Sequence, residues 1–144
     1  SSAATLPTAL AAAREDLGVR APVAGFVLPL GTTMNMAGTA LYEGCVVLFV
    51  AQVFGIDLGF GQQLTLLVLA VLSAVAVAAI PGGSLPLIAG LLAAFGIPPE
   101  GIGIILGVDR LLDMTRTMTN VGSDLVTTAV VDRGQRASGH AGHV

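Results

Sequence analysis

The sequence contains no lysine and no tryptophan, a single cysteine, and only 10% charged residues. Each shortage excludes something. With Cys45 alone there can be no internal disulfide, and in its apolar run it reads as a small buried hydrophobe rather than a reactive thiol. The six basic residues are all arginines, form no basic patch, and stand against nine acids, so nucleic acid is excluded as a partner. A soluble domain is typically about a quarter charged, and the missing charge argues against a surface built for water. What is abundant is apolar: 54% of the 144 residues are hydrophobic and mean hydropathy is +0.89. That is membrane-protein composition. The chain opens on Ser1-Ser2-Ala3-Ala4-Thr5 with neither an initiator methionine nor a signal peptide, and is expected to be the C-terminal piece of a longer protein.

Apolar runs and their interruptions divide the chain. Residues 1–13 begin with small hydroxyl-bearing side chains, break at Pro7 and turn alanine-rich, as the end of a hairpin would. Within residues 14–59, a charged turn (Arg14 to Arg20) leads into an apolar stretch longer than the ~20 residues one span needs. That stretch is interrupted by Gly31-Thr32-Thr33-Met34-Asn35-Met36-Ala37-Gly38-Thr39. A helix broken at membrane depth is tolerated only where its freed backbone groups meet protein or line a cavity. The sequence therefore predicts two half-helices, 19–33 and 38–54, with unwound backbone between them.

Residues 60–100 hold two further apolar segments, 62–79 and 84–95, joined through Ile80-Pro81-Gly82-Gly83. At 1.5 Å per residue the second is only ~18 Å long and cannot cross a ~30 Å core. A re-entrant hairpin with its tip near the midplane fits better than two spans. Residues 101–131 then span the membrane, and 132–144 form a polar tail predicted to fray. His140 and His143 lie in that tail, where their spacing reads as chance rather than as a metal site.

The last span carries the chemistry. Asp109, Asp113, Arg116, Asn120 and Asp124 fall at steps of four, three, four and four, which keeps them on one helical face. Leu111, Leu112, Met118, Val121 and Leu125 occupy the others. Ionisable groups at membrane depth cost ~2.5–3.5 kcal/mol each on insertion scales, so they face a bundle interior or a wet cavity. Such a seam marks a site for a polar or charged passenger; the alternative is a soluble helix with a solvated charged face. Arg14 and Arg20 precede the first span, and Arg133 and Arg136 follow the last. The turns at 55–59 and 97–101 carry no basic residue, which puts both flanks in the cytoplasm and brings the hairpin in from outside. The fold class is thus an all-α membrane protein: broken transmembrane helix, re-entrant helical hairpin and polar-seamed transmembrane helix.

Three stretches carry a resemblance: Asn35-Met36-Ala37-Gly38-Thr39-Ala40-Leu41-Tyr42, the tip Ile80-Pro81-Gly82-Gly83, and the run from Asp109 to Asn120. In this order they resemble the glutamate/aspartate transporter family, the dicarboxylate/amino acid:cation symporters, over nearly the whole chain. The opening Ser1-Ser2-Ala3-Ala4-Thr5-Leu6-Pro7 looks like the tip of that family's first re-entrant hairpin. The resemblance implies the C-terminal half of an elevator-type transport domain, a scaffold upstream in the same chain, lipid around it, and a homotrimer in the cell membrane. A midplane site between broken helices is how such inverted-repeat carriers are built.

The resemblance also implies roles. For an acidic amino acid, Arg116 would take the side-chain carboxylate with its planar fork. Asp113 would take the ammonium and Asn120 the backbone carboxylate, with Thr117, Thr39 and Ser2 adding hydroxyl contacts. Asn35, Asn120 and Asp124 resemble the family's first sodium site, and Thr33 and Met36 stand beside its second. Glu43 matches the position that carries a proton in mammalian members. Ile80, Pro81, Gly82 and Gly83 form the tip of the outer gate. For the pair Arg116/Asp113 the alternative is an ion pair that merely holds the helix, for Asn35 backbone satisfaction at the break, and for Glu43 a hydrogen-bonded structural acid.

No covalent chemistry is implied, and no cofactor beyond sodium or protons as coupling ions. A C4-dicarboxylate carrier of this family would lack the acid at Asp113, and a neutral amino acid exchanger would lack Arg116. An intramembrane aspartyl protease would show a Gly-x-Gly-Asp element, which Gly107-Val108-Asp109 does not provide. A passive channel has no use for the matched pair. One departure stands out: many members read Asn-Met-Asp-Gly-Thr where this chain has Ala37, and an alanine cannot ligate the further sodium ion that the aspartate helps to hold.

Overall fold

A computed structural model describes residues 1–76 and 83–141, with side chains of the last helix described as far as Ser138. It is helical, with no strand among the described residues. Helix α1 (Ser2–Glu15) is capped by the Ser1 hydroxyl, which accepts from the Ala4 N–H, and it ends at Gly18 with a φ of +62°. Helix α2 (Ala21–Met34) starts on a proline, Pro22, whose missing N–H costs nothing in a first turn. Helix α3 (Ala37–Val53) continues it after a short break.

The break is narrower than predicted. Only Asn35 (φ −113°, ψ 77°) and Met36 (φ −103°, ψ 56°) leave the helical region. Gly31 and Gly38, which the sequence suggests as helix breakers, lie inside the two helices, where they permit close approach instead. A Cβ on Gly31 would sit 2.6 Å from Asp124 Oδ1, and one on Gly38 would sit 2.6 Å from the Arg116 carbonyl oxygen. Both helices therefore press against the last helix at a glycine.

Helices α4 (Phe60–Ala76) and α5 (Leu85–Ala94) pack on each other and on α3. At 1.5 Å per residue they are ~26 and ~15 Å long. Gly83 lies in the turn before α5, whereas Ile80, Pro81 and Gly82 lie outside the described residues. After a 3-10 turn (Pro99–Gly101) and a short helix α6 (Ile102–Leu106), helix α7 runs from Asp109 to Ala141. The sequence predicts a frayed tail from residue 132, but the helix continues past it.

Two cores hold the assembly. Val46, Val47 and Val50 of α3 meet Leu66, Ile88, Leu92, Ile97 and Ile105. Ala9 and Ala13 of α1 and Val23, Ala24 and Leu28 of α2 meet Val121, Leu125 and Ala129 of α7. The far end of α7 is tied down by Asp132. Its buried carboxylate accepts from Arg20 Nε at 2.6 Å and from Arg136 Nε at 2.7 Å, and Arg136 also donates to the Gly18 carbonyl at 2.7 Å. Chiefly through the Arg20 hydrogen bond, the Asp132 carboxyl is held below the usual carboxylate range. Among the described residues, Ala21–Val53 is the one stretch long and apolar enough to cross a membrane by length and composition. Cys45, read from the sequence as buried, is exposed on α3.

Candidate functional site

Helix α7 is inside out. Asp113, Arg116, Asn120, Asp124, Thr128 and Asp132 are its buried side chains over this length, while Leu111, Met114, Met118, Val126 and Val130 are exposed. In water this arrangement would bury charge and expose oil, which is unfavourable twice over. In a membrane protein it puts polar groups toward the bundle and apolar ones toward lipid or further helices. Four of the five predicted seam residues are buried, and Thr128 and Asp132 extend the seam by two more steps of four. Asp109, the fifth, is half-buried and accepts a hydrogen bond from the Tyr42 hydroxyl at 3.0 Å.

Arg116 is held from three sides. It pairs with Asp113 one turn earlier on its own helix and donates through Nη1 to the Ser84 hydroxyl at the start of α5. Its guanidinium also lies 5.3 Å from the centroid of the Tyr42 ring on α3, a cation–π distance. A buried ion pair offsets its desolvation only when further hydrogen bonds satisfy the remaining donors. Ser84 and Tyr42 supply part of that environment.

One turn further, Asn120 uses both ends of its amide. Its Oδ1 accepts from the Gly38 N–H at 2.8 Å, and its Nδ2 donates to the Thr39 hydroxyl at 3.2 Å. The first of these gives the Gly38 N–H, in the first turn of α3, the acceptor that the uncapped start of that helix lacks. The next turn reaches the break itself: Asn35 Nδ2 donates to Asp124 Oδ1 at 2.9 Å and to the Ser123 hydroxyl at 3.0 Å. A cavity of about 340 Å³ opens beside this pair, lined by Gly31, Met34, Asn35, Asp124 and Thr127 among others.

The remaining predicted residues scatter. Ser2 is buried in the first turn of α1, and Thr117 is half-buried on a cavity of about 550 Å³ between α1 and α7. Met36 is buried against Ala74. Thr33 is exposed and its hydroxyl donates to the Leu30 carbonyl at 2.8 Å. Glu43 has no exposure; it accepts from the Ser73 hydroxyl of α4, and its Oε1 has no hydrogen-bond partner among the described residues. Ala37 is exposed beside a cavity of about 400 Å³ that it shares with Met34, Asn35 and Met36. Sequence reasoning missed Tyr42, Ser73, Ser84 and Ser123, all of which touch the seam or Glu43.

Charge is thus buried along one helix, opposite a helix break and in contact with the start of α5. A profile of the sodium:dicarboxylate symporter family matches residues 1–134. Over 133 residues, 92% of this chain, it is 41% identical to human excitatory amino acid transporter 3, of which it covers 25%. It is 42% identical over 131 residues, 91% of this chain, to a Caenorhabditis elegans excitatory amino acid transporter, covering 26% of it. Mouse excitatory amino acid transporter 4 is 43% identical over 132 residues, which are 92% of this chain and 24% of that protein. The chain belongs to the sodium:dicarboxylate symporter family, a family of membrane transporters. It spans about a quarter of the length of these relatives.

Proposed function

We propose that the full-length protein is a secondary active symporter of acidic amino acids, L-glutamate or L-aspartate, driven by a sodium or proton gradient. The observation that carries this reading is the buried Arg116–Asp113 pair, set on the seam opposite the break and touched by the second hairpin through Ser84. An acidic amino acid presents a distal carboxylate and an ammonium, and this pair offers one partner for each. The α-carboxylate falls to Asn120, with Thr39, Thr117 and Ser2 as hydroxyl donors near it.

Cation coupling rests on oxygen. Asn35 and Asp124, already in contact, form the anionic end of a sodium site with Asn120 and backbone carbonyls near the break; Met36 and Thr33 belong to a second. Glu43 is the proton-carrying candidate. The hairpin of α4 and α5, with its tip at residues 80–83, re-enters the membrane and gates the site. The domain moves as an elevator against an upstream scaffold in a homotrimer of the cell membrane, with both ends of this segment cytoplasmic.

The experiment is uptake of labelled aspartate and glutamate by proteoliposomes of the full-length chain, with sodium and proton gradients imposed separately. Accumulation against the substrate gradient is expected with at least one of them. Equilibration without accumulation under either gradient would make this a passive pathway and end the proposal.

A further inference from the structure

Glu43 is wholly buried where α3 packs on α4, and Ser73 of α4 is the one hydrogen-bond partner of its carboxyl among the described residues. The second carboxyl oxygen, Oε1, is buried without a partner there. Ser73 Oγ touches two acceptors: Glu43 Oε2 and, at 3.1 Å, the Ala70 carbonyl one turn back on α4. A serine has a single hydrogen to donate, whereas a carboxyl accepts when ionised and also donates when neutral. With Glu43 ionised, the serine hydrogen serves one acceptor and abandons the other, and a buried charge stands on one hydrogen bond at most. With Glu43 neutral, its own hydrogen goes to Ser73 Oγ and the serine hydrogen goes to Ala70. Both contacts are then made at once, and only a neutral carbonyl oxygen lacks a donor, which costs far less than a buried unpaired charge. The surroundings supply no counter-charge. Helices α4 and α5 hold no titratable residue. On α3 itself the Tyr42 hydroxyl turns to Asp109 of α7. Arg116, which faces Glu43 from α7, is paired with Asp113 and bonded to Ser84.

We infer that Ser73 is a positioning residue through which α4 senses the proton on Glu43: the neutral carboxyl donates to Ser73 Oγ while Ser73 donates to the Ala70 carbonyl. The inference rests on the reading of Glu43 as the proton-carrying group and deepens it by naming the element that responds. When the proton leaves to water, the three groups Glu43, Ser73 and Ala70 are one hydrogen short. Ser73 then has to choose between its own helix and a carboxylate, and the buried charge favours any movement of α4 that lets water in. Helix α4 is therefore seated on α3 with the proton aboard and loosens without it. The proton acts on the packing of α4, not on the ligand.

The test is the pH dependence of L-aspartate binding, by calorimetry at saturating sodium, in the full-length protein and its Ser73→Ala, Ser73→Thr and Glu43→Gln variants. The parent is expected to bind more weakly as pH rises. Glu43→Gln should be flat, because glutamine keeps an N–H donor for Ser73 and does not titrate. In Ser73→Ala the neutral acid loses its acceptor, so the weakening should set in about half to one pH unit lower, the worth of one neutral hydrogen bond. Ser73→Thr keeps the hydroxyl and should follow the parent. Infrared spectra give a readout independent of transport: the carboxylic C=O band that Glu43→Gln lacks should move to higher frequency in Ser73→Ala, as the carboxyl loses its hydrogen bond. A midpoint in Ser73→Ala that stays put or rises overturns the inference, a rise being the mark of a serine that donates to a carboxylate. A Ser73→Thr midpoint displaced as far as that of Ser73→Ala, or a carboxyl band that does not move, overturns it too. A pH dependence that persists in Glu43→Gln, or is absent from the parent, overturns the proton-carrying reading as well.

Discussion

Gly31 offers the sharpest test of the proposed cation site. An alanine Cβ there would lie 2.6 Å from Asp124 Oδ1, 2.8 Å from its Cγ and 3.3 Å from Oδ2. Ordinary contact begins near 3.4 Å, so the carboxylate must retreat by 3.4 − 2.6, or 0.8 Å. The same Oδ1 receives the 2.9 Å hydrogen bond from Asn35, so that retreat breaks or misaligns it. A hydrogen bond to a charged group contributes about 1.5–3 kcal/mol. At 1.4 kcal/mol per decade, that loss weakens the site about ten- to a hundredfold. Helix propensity works the other way, favouring alanine over glycine by about 1 kcal/mol, and offsets part of that loss in overall stability. Gly25 on the same helix is the control, because a Cβ there meets nothing within 4 Å. The assay is a sodium titration of aspartate binding to the full-length Gly31→Ala and Gly25→Ala proteins. The sodium midpoint should rise at least severalfold for the first and stay put for the second. Coincident midpoints would show that the Asn35–Asp124 geometry does not set sodium affinity.

Asp113→Asn should weaken aspartate binding far more than succinate binding, since only aspartate has an ammonium; equal losses in a competition assay would assign Asp113 a structural role. Ala37→Asp places a carboxylate beside Asn35 and Met36 and should steepen the sodium dependence of uptake, read as a higher Hill coefficient. A reversal potential already indicating three sodium ions per substrate in the parent would refute the premise. For Asp132 the folded carboxyl lies below its usual range, so its contribution to stability is present above the unfolded pKa and is lost as pH falls through the folded one. Thermal melting in detergent should therefore drop on acidification below about pH 4, and Asp132→Asn should melt earlier at neutral pH with a flatter acid dependence. An unchanged acid profile in that variant would place the acid sensitivity elsewhere.

The parts legible in the sequence were those with a local period. The steps from Asp113 to Asp124 lie on one helix, and helical geometry alone brings them to one face. The same arithmetic reaches Thr128 and Asp132, but the sequence does not show that the helix holds past 132, where Arg20 before α2 and Arg136 one turn on along α7 neutralise that carboxylate. The helix break was visible in Asn35 and the threonines near it, but not which residues leave the helix. Gly31 and Gly38 look like breakers until the proximity of α7 shows what their missing Cβ atoms permit. Tyr42, Ser73 and Ser84 could not be found by spacing, since each reaches Arg116, Asp109 or Glu43 across a tertiary contact. Cys45 is exposed for a related reason: an apolar neighbourhood in sequence does not say which side of a helix faces inward.

The inside-out character of α7 also limits how this segment can change. A substitution on the exposed side alters one contact and leaves the seam in place. A change of length does not. Each inserted or deleted residue rotates everything beyond it by about 100°. One extra residue at Gly122 would turn Asp124, Thr128 and Asp132 away from the bundle and bring Ser123, Thr127 and Val131 into their places. Unlike a surface loop, α7 has no region between Asp109 and Asp132 where such a rotation is harmless. Variation in this stretch is therefore confined to the identity of side chains at a fixed count.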